Sequence, residues 1–161
     1  INNIEIYGKL TGCEKNASLL INETQNRLAL LKDKIKNKPL NLKGTILYST
    51  SPLMGFKSDS LPGEILNFLE IKNITEGLKG EKPILSQEFV LQENPDFLAG
   101  AMMIKNANNI LKDNPVLIQT KAGKNKNVFL IDSTKTLRGS PRIFQALEEL
   151  YIQLDSVNKE K

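Results

Sequence analysis

The sequence predicts an α/β domain built on a mostly parallel sheet. Three segments are predicted as strands: "TILYST" and "VFLID", which are rich in β-branched and aromatic residues, and a short stretch from about Asp96 to Ala99 after an Asn94-Pro95 turn. Between them, apolar residues recur at helical spacing. Strands that alternate with helices predict parallel pairing and a sheet covered on both faces, which makes a three-layer lobe.

One long helix is predicted ahead of this sheet, from Thr11 to about Lys36. Its apolar positions recur at helical spacing and are Ala17, Leu20, Ile21, Leu28, Leu31 and Ile35. Pro39 and Gly44 interrupt the pattern before the first strand. Because the helix precedes that strand, it cannot cross between two strands of the sheet, and we interpret it as a connector from another part of a larger protein.

Capping signals mark the starts of the later helices. Ser60, with a proline two residues on, predicts one helix start, Ser86 predicts a second and Pro115 a third. The last helix is expected from Ser140 to about Val157, with the Ser140 hydroxyl capping it and Pro141 at its first position.

Composition excludes several classes of function. Apolar residues make up 40% and charged residues 25% of the 161 positions, as in one globular domain, and the longest apolar run is too short to cross a membrane. The net charge of +4 comes from dispersed lysines, so we expect no nucleic-acid partner. With zero His and one Cys, zinc clusters and Cys–His or Ser–His pairs are excluded, and no phosphate-loop or dinucleotide motif occurs. We expect neither an enzyme nor a resident metal or cofactor.

The single cysteine, Cys13, follows "LTG" in a pattern that fits a bacterial lipoprotein cleavage site. The residues before it include Glu5 and Lys9, whereas a signal sequence needs an uninterrupted apolar segment. We therefore expect a thiol near the start of a helix. Since the sequence begins at Ile1 without a basic and apolar leader, any targeting segment is expected to lie outside it.

The candidate binding site follows from the sheet. Ligands of open parallel sheets lie beyond the carboxyl ends of the strands, which selects the loops 48–60, 100–105 and 132–142. These loops combine aromatic, thioether and cationic side chains, which suit a large, partly apolar, anionic ligand. The candidate ligand-binding residues are Tyr48, Met54, Phe56, Lys57, Met102, Lys135 and Arg138.

Each of these residues also has a purely structural interpretation. Met102 and Met103 are adjacent at a strand end, so at most one should face the ligand, and the core is the favoured position for either. In this structural interpretation the Tyr48 ring packs against neighbouring side chains, and Lys57 and Lys135 are exposed to solvent. Arg138 is the strongest candidate because a glycine follows it and a helix begins shortly afterwards, which leaves its guanidinium free to face an anion.

The order of these pieces resembles the C-terminal lobe of the class III periplasmic substrate-binding proteins, which serve importers of iron-siderophores, haem and cobalamin. "YGKLTGCEKNASLLINETQNRLALLKDKI" is similar to the lead-in and long helix that joins the two lobes. "GTILYSTSPLMGFKSDSLPGEILNFLEIKN" resembles the strand, cleft loop and helix that end in an "LGxxN" turn, although the family's Gly is missing. "ILSQEFVLQENPDFLAG" and "NKNVFLIDSTKTLRGSPRIFQALEELYIQL" resemble the "S.E" helix with its strand and the closing "(G/S)PR" element.

The resemblance implies that residues 1–38 are the lead-in and connector and that residues 39–161 are the C-terminal lobe, with the N-terminal lobe missing. It implies a monomeric, extracytoplasmic component of an ABC importer, periplasmic or anchored as a cell-surface lipoprotein. The implied ligand is a small-molecule iron complex, either a ferric siderophore bound by the cations or haem bound by Met and Tyr. The implied partners are the permease transmembrane subunits, on which Glu88 would dock. The alternative interpretation is that Glu88 has no docking role and is a carboxylate in the first turn of a helix, where the helix dipole stabilises its negative charge.

Two other classes of function remain open on the sequence. A small α/β enzyme or nucleotide-binding module of unknown ligand would share the same sheet architecture. A scaffold domain would instead show a large exposed apolar patch away from the strand ends.

Overall fold

The structure is a computed structural model that describes residues 2–159. This part of the chain divides into two compact units, the first ending at Pro39 and the second beginning at Leu40. Across residues 2–159, no helix combines the length and the apolar character that crossing a bilayer requires.

The first unit consists of two helices, α1 (Asn2–Thr11) and α2 (Glu14–Asn37). The predicted start of the long helix at Thr11 is wrong, because Gly12 takes a left-handed φ of +66° that separates the two helices. The amide of Cys13 closes this turn by donating to the Gly8 carbonyl at 2.8 Å. As expected, Cys13 directly precedes a helix.

The second unit contains a five-stranded sheet, and the predicted α/β class with a mostly parallel sheet is confirmed. Strands β1 (Lys43–Thr50), β3 (Lys72–Asn73), β4 (Phe97–Gly100) and β5 (Val128–Leu130) are parallel, whereas β2 (Leu53–Gly55) runs antiparallel to β1. The order is β2-β1-β4-β5, with β3 paired to β1 beside β2. Strands β2 and β3 have three and two residues, too few for a periodic signal, and were not expected from the sequence.

The helices of this unit are α3 (Leu61–Phe68), α4 (Gln87–Glu93), α5 (Asn108–Asp113), a 3-10 helix (Pro115–Gln119), α6 (Lys121–Lys124), α7 (Ser133–Thr136) and α8 (Arg142–Lys159). The helices predicted to start at Ser60, Ser86, Pro115 and Ser140 begin within two residues of these positions, whereas α5, α6 and α7 had no predicted start. The two predicted serine caps are confirmed, since Ser60 accepts from the Gly63 amide at 3.2 Å and Ser86 from the Phe89 amide at 3.0 Å.

The predicted cap of the last helix needs correction. Helix α8 begins at Arg142, and the Ile143 amide donates at 3.0 Å to the backbone carbonyl of Ser140 rather than to its hydroxyl. The Phe144 amide donates to the Pro141 carbonyl at 3.3 Å, so the chain enters the helix through i to i+3 bonds, which already satisfy the first free amides.

The core lies on both faces of the sheet. One face places Leu47 and Leu98 in a buried apolar cluster with Val90, Ile110 and Leu117. The other face carries Ile46, Phe97 and Ala99, all fully buried, and the Phe97 and Phe129 rings stack at 5.9 Å between centroids. Since side chains on both faces are buried, the carboxyl edge of the strands is where the sheet can present groups to a ligand.

Candidate ligand-binding site

The loops that follow β1, β4 and β5 are joined to one another at the carboxyl edge. The Met103 amide donates to the Tyr48 carbonyl at 3.3 Å, and the Met102 amide donates to the Ser133 hydroxyl at 2.8 Å. The three loops selected from the sequence therefore form one continuous surface. Bounded by the ends of the observed strands and helices, this surface comprises residues 48–60, 101–107 and 131–140, and we call it the carboxyl edge.

Tyr48 lies in a β-bulge at this edge. Leu47 pairs with Gly55 and Ser49 pairs with Met54, so Tyr48 has no residue opposite it on β2. Bulges redirect a side chain and occur often beside functional sites. The redirected Tyr48 ring meets the Phe56 ring edge-on, with the centroids 5.8 Å apart and the planes at 87°. Phe56 is buried, whereas Tyr48 and Met54 are half-buried.

The backbone of Phe56 is held by two buried polar side chains. The Asn73 amide donates to the Phe56 carbonyl at 3.1 Å, and the Thr75 hydroxyl donates to the same oxygen at 2.7 Å. Buried hydrogen-bonded groups of this kind are costly to rearrange. The position of Phe56, and with it the support under Tyr48, is therefore set before any ligand arrives.

Residues 81–85 form an additional edge along β2 that sequence analysis missed. The Gly55 amide donates to the Pro83 carbonyl at 3.1 Å, and the Leu85 amide donates to the Leu53 carbonyl at 2.8 Å. This pairing carries the Lys82 ammonium to 4.5 Å from the centroid of the Tyr48 ring. The only available sequence signal was the proline in "EKPIL", which is compatible with an edge position.

A cavity of about 440 Å³ lies where these segments meet. It is bounded by the start of α3, by the 81–82 backbone and by the loop after α7, and its lining residues are Phe56, Asp59, Ser60, Leu61, Pro62, Glu81, Lys82 and Leu137. The combination of an aromatic and aliphatic wall with a few charged groups is typical of small-molecule sites.

The two predicted binding lysines already have carboxylate partners. The Lys57 ammonium lies 2.9 Å from Asp59, and the Lys135 ammonium lies 2.7 Å from Glu149 on α8. Lys135 thereby ties the loop after β5 to the closing helix. Arg138 is exposed and forms no ion pair with any residue between 2 and 159, so its guanidinium is available.

The two methionines after β4 are both on the surface. Met102 is 42% and Met103 64% exposed, so the expectation that the core is their favoured position is wrong. The reason is local: Met102 takes a left-handed φ of 55°, and its amide is bound to Ser133, which turns the chain away from the sheet.

The loop after β5 is organised by short-range contacts. The Asp132 carboxylate accepts from the Thr134 amide at 2.8 Å and from the Thr134 hydroxyl at 2.6 Å. These hydrogen bonds lower the pKa of the Asp132 carboxyl, with a smaller contribution from the charge of Lys135. Asp132 therefore serves as the cap of α7 in its charged form.

Glu88, the predicted docking residue, lies in the first turn of α4 and is exposed. Within the described residues, no group of His, Cys, Asp and Glu side chains is arranged to hold a metal ion.

Comparison with known proteins identifies the family. The profile of the family described as periplasmic binding protein matches residues 1–134, and the chain belongs to this family. The resemblance inferred from the motifs is thereby confirmed. The chain is 24% identical over 150 residues to the uncharacterized ABC transporter substrate-binding lipoprotein YvrC of Bacillus subtilis, a match that covers 91% of this chain and 47% of that protein.

Solved structures of related fold are named for different ligands. The periplasmic heme-binding protein RhuT from Roseiflexus sp. RS-1 superposes with a TM-score of 0.83 at 20% identity, covering 98% of this chain and 62% of that one. A possible iron-binding protein from Staphylococcus epidermidis superposes with a TM-score of 0.80 at 21% identity, and the match covers 95% of this chain and 60% of that one. The vitamin B12 binding protein BtuF of Vibrio cholerae superposes with a TM-score of 0.70 at 15% identity, and the match covers 92% of this chain and 55% of that one. These likenesses establish the fold, and this chain spans about half to two-thirds of each relative.

Proposed function

We propose that this chain is the C-terminal lobe of the extracytoplasmic substrate-binding component of an ABC importer, and that its ligand is an iron compound, a ferric siderophore or haem. The observation that carries the proposal is the carboxyl edge, which includes the aromatic Tyr48, the thioether of Met102 and the cation of Arg138, and from which Phe56 and Leu137 line the 440 Å³ cavity. The proteins to which the chain is similar are named as binding proteins, and no catalytic step is proposed.

In this proposal residues 1–38 are the lead-in and connector, and a second lobe completes the binding cleft. The match to only 47% of YvrC supports this arrangement. Half a cleft provides only part of the ligand contacts and no closure, so residues 1–161 alone should bind weakly.

The proposed ligand contacts on this lobe are Tyr48, Met54, Phe56, Met102 and Arg138. Lys57 and Lys135 would join them only by releasing Asp59 and Glu149. Their ion pairs support the proposal that these two lysines have supporting roles in the unliganded protein, because a partnered ammonium must give up its ion pair before it can bind an anion.

The experiment is a titration of the full-length protein with haem, a ferric hydroxamate, a ferric catecholate and cyanocobalamin. We expect one iron compound to bind tightly to the full-length protein and at least tenfold more weakly to residues 1–161. Arg138→Ala should weaken binding, whereas the matched control Arg142→Ala, in the first turn of α8, should leave it unchanged. Failure of the full-length protein to bind any iron compound would contradict the proposal.

We also propose that Glu88 docks on the permease transmembrane subunits. Its exposure at the first turn of α4 leaves the carboxylate accessible to a cationic partner. Glu88→Lys should lower ligand uptake by cells without changing ligand affinity, while Glu76→Lys, an exposed control with the same change of charge, should leave uptake normal. A loss of ligand affinity in Glu88→Lys would count against docking.

A further inference from the structure

We infer that Lys82 is a ligand-binding cation of this lobe for an anionic group on the ligand, and that it gives the site a preference for negatively charged ligands. This inference rests on the proposed function and refines it by naming the charge class of the ligand. It replaces Lys57 and Lys135, which the sequence favoured for the same task.

The first argument is the distribution of ion pairs at the carboxyl edge. Lys57 and Lys135 are each within 2.9 Å of a carboxylate oxygen, so their charge is compensated inside the protein. Lys82 forms no ion pair with a residue between 2 and 159, and its ammonium instead lies 4.5 Å from the centre of the Tyr48 ring. A cation on an aromatic face keeps its full charge and its hydrogen-bond donors.

The second argument is that the backbone around Lys82 and the ring beneath its ammonium are held in place. The Lys57 amide donates to the Glu81 carbonyl at 3.3 Å, and the Gly55 amide donates to the Pro83 carbonyl at 3.1 Å, so backbone bonds flank Lys82 on both sides. The Tyr48 ring under it is itself supported by Phe56, whose carbonyl accepts from Asn73 and Thr75. The backbone that carries Lys82 and the ring under its ammonium are therefore ordered before a ligand binds, although the lysine side chain itself is exposed.

The third argument is the position of Lys82 on the cavity. It lines the same 440 Å³ space as Leu137, the neighbour of Arg138. Asp59 and Glu81 also line this space, and the Asp59 carboxylate is paired with Lys57. An anionic group that enters the cavity therefore meets Lys82 in its lining.

The test compares Lys82→Ala and Lys82→Gln with Lys79→Ala in the full-length protein. Lys79 is an exposed lysine of the same connection and lies outside the cavity lining. The probes are haem and a ferric catecholate, which are anionic, and a ferric hydroxamate and cyanocobalamin, which are neutral. Circular dichroism and thermal melting of each variant confirm that it is folded.

We expect both Lys82 variants to weaken binding of the anionic probe by about tenfold or more, because a charge-assisted hydrogen bond is lost. Lys79→Ala should bind as the wild type does, and the salt dependence of the dissociation constant should be smaller in the Lys82 variants. Equal binding by the wild type and the Lys82 variants would overturn the inference.

Tight binding of only the ferric hydroxamate would also overturn the inference, while leaving an iron-compound binding protein as proposed. Tight binding of only cyanocobalamin would contradict the proposed iron ligand as well. Binding of none of the four probes would instead remove the proposed function, and the inference with it.

Discussion

The two sides of the cavity are built in different ways. We call residues 53–60 and 81–85 the Phe56 wall, and residues 131–140 the Arg138 loop. In the Phe56 wall, residues 81–85 pair with β2 through backbone hydrogen bonds, and two buried polar side chains donate to the carbonyl of Phe56. The Arg138 loop is held by the exposed Asp132 cap and by the Lys135 ion pair to Glu149, whose side chains are 21% and 50% exposed.

This difference separates a fixed side of the site from an adaptable one. Buried hydrogen bonds are costly to break, whereas exposed ion pairs contribute little and exchange readily with solvent. The Phe56 wall can therefore present Tyr48 and Lys82 in one geometry, while the Arg138 loop can adjust Arg138 to the ligand.

The largest contrast is expected between two glycine substitutions. In Gly63→Ala the new Cβ would lie 2.0 Å from the carbonyl oxygen of Lys57, so backbone in the Phe56 wall must move. We expect a loss of about 3 kcal/mol or more in the free energy of unfolding, measured by urea denaturation. In Gly139→Ala, where nothing lies within 4 Å of the new atom, the change should stay within about 1 kcal/mol. Similar losses in both variants would contradict the distinction between the two sides.

A second contrast concerns one hydroxyl on each side. Thr75→Val keeps the shape of a fully buried side chain but removes the donor to Phe56, and should cost about 1–2 kcal/mol. Thr134→Val removes an exposed hydroxyl bond to Asp132 and should cost less than about 0.5 kcal/mol. Both values come from chemical denaturation, and a larger cost at Thr134 would reverse the assignment of the fixed side.

The smallest effect is expected for the ion pair of the Arg138 loop. A double-mutant cycle with Lys135→Ala and Glu149→Ala should give a coupling of less than about 1 kcal/mol, because both groups reach solvent. The coupling should decrease further in high salt. A coupling above about 2 kcal/mol would show that this loop is fixed as firmly as the Phe56 wall.

Local signals in the sequence predicted much of the fold. Ser60 and Ser86 mark helix starts because the cap bond joins residues only three apart, and that rule is readable without tertiary structure. The three longer apolar segments predicted the parallel strands and, through them, the loops of the carboxyl edge. The break at Gly12 escaped detection because helical periodicity continues on both sides of it.

The site itself was only partly predictable. The loops were identified, but the partners of their charged residues depend on distant segments: Lys135 meets Glu149 on another helix, and Lys82 reaches Tyr48 only because residues 81–85 pair with β2. Spacing along the chain carries no information on such contacts. The sequence therefore indicated which kinds of side chain line the edge, without showing which cations are available.

The most direct test of the account is amide hydrogen exchange of the full-length protein with and without the iron compound that it binds. We expect ligand-dependent protection in residues 48–60 and 131–140 and in the segment around Lys82, with the larger change in the Arg138 loop because it starts less protected. The buried strands β1 and β4 should exchange slowly in both states. Protection confined to other parts of this lobe, or its absence from the carboxyl edge, would contradict the assignment of the binding site.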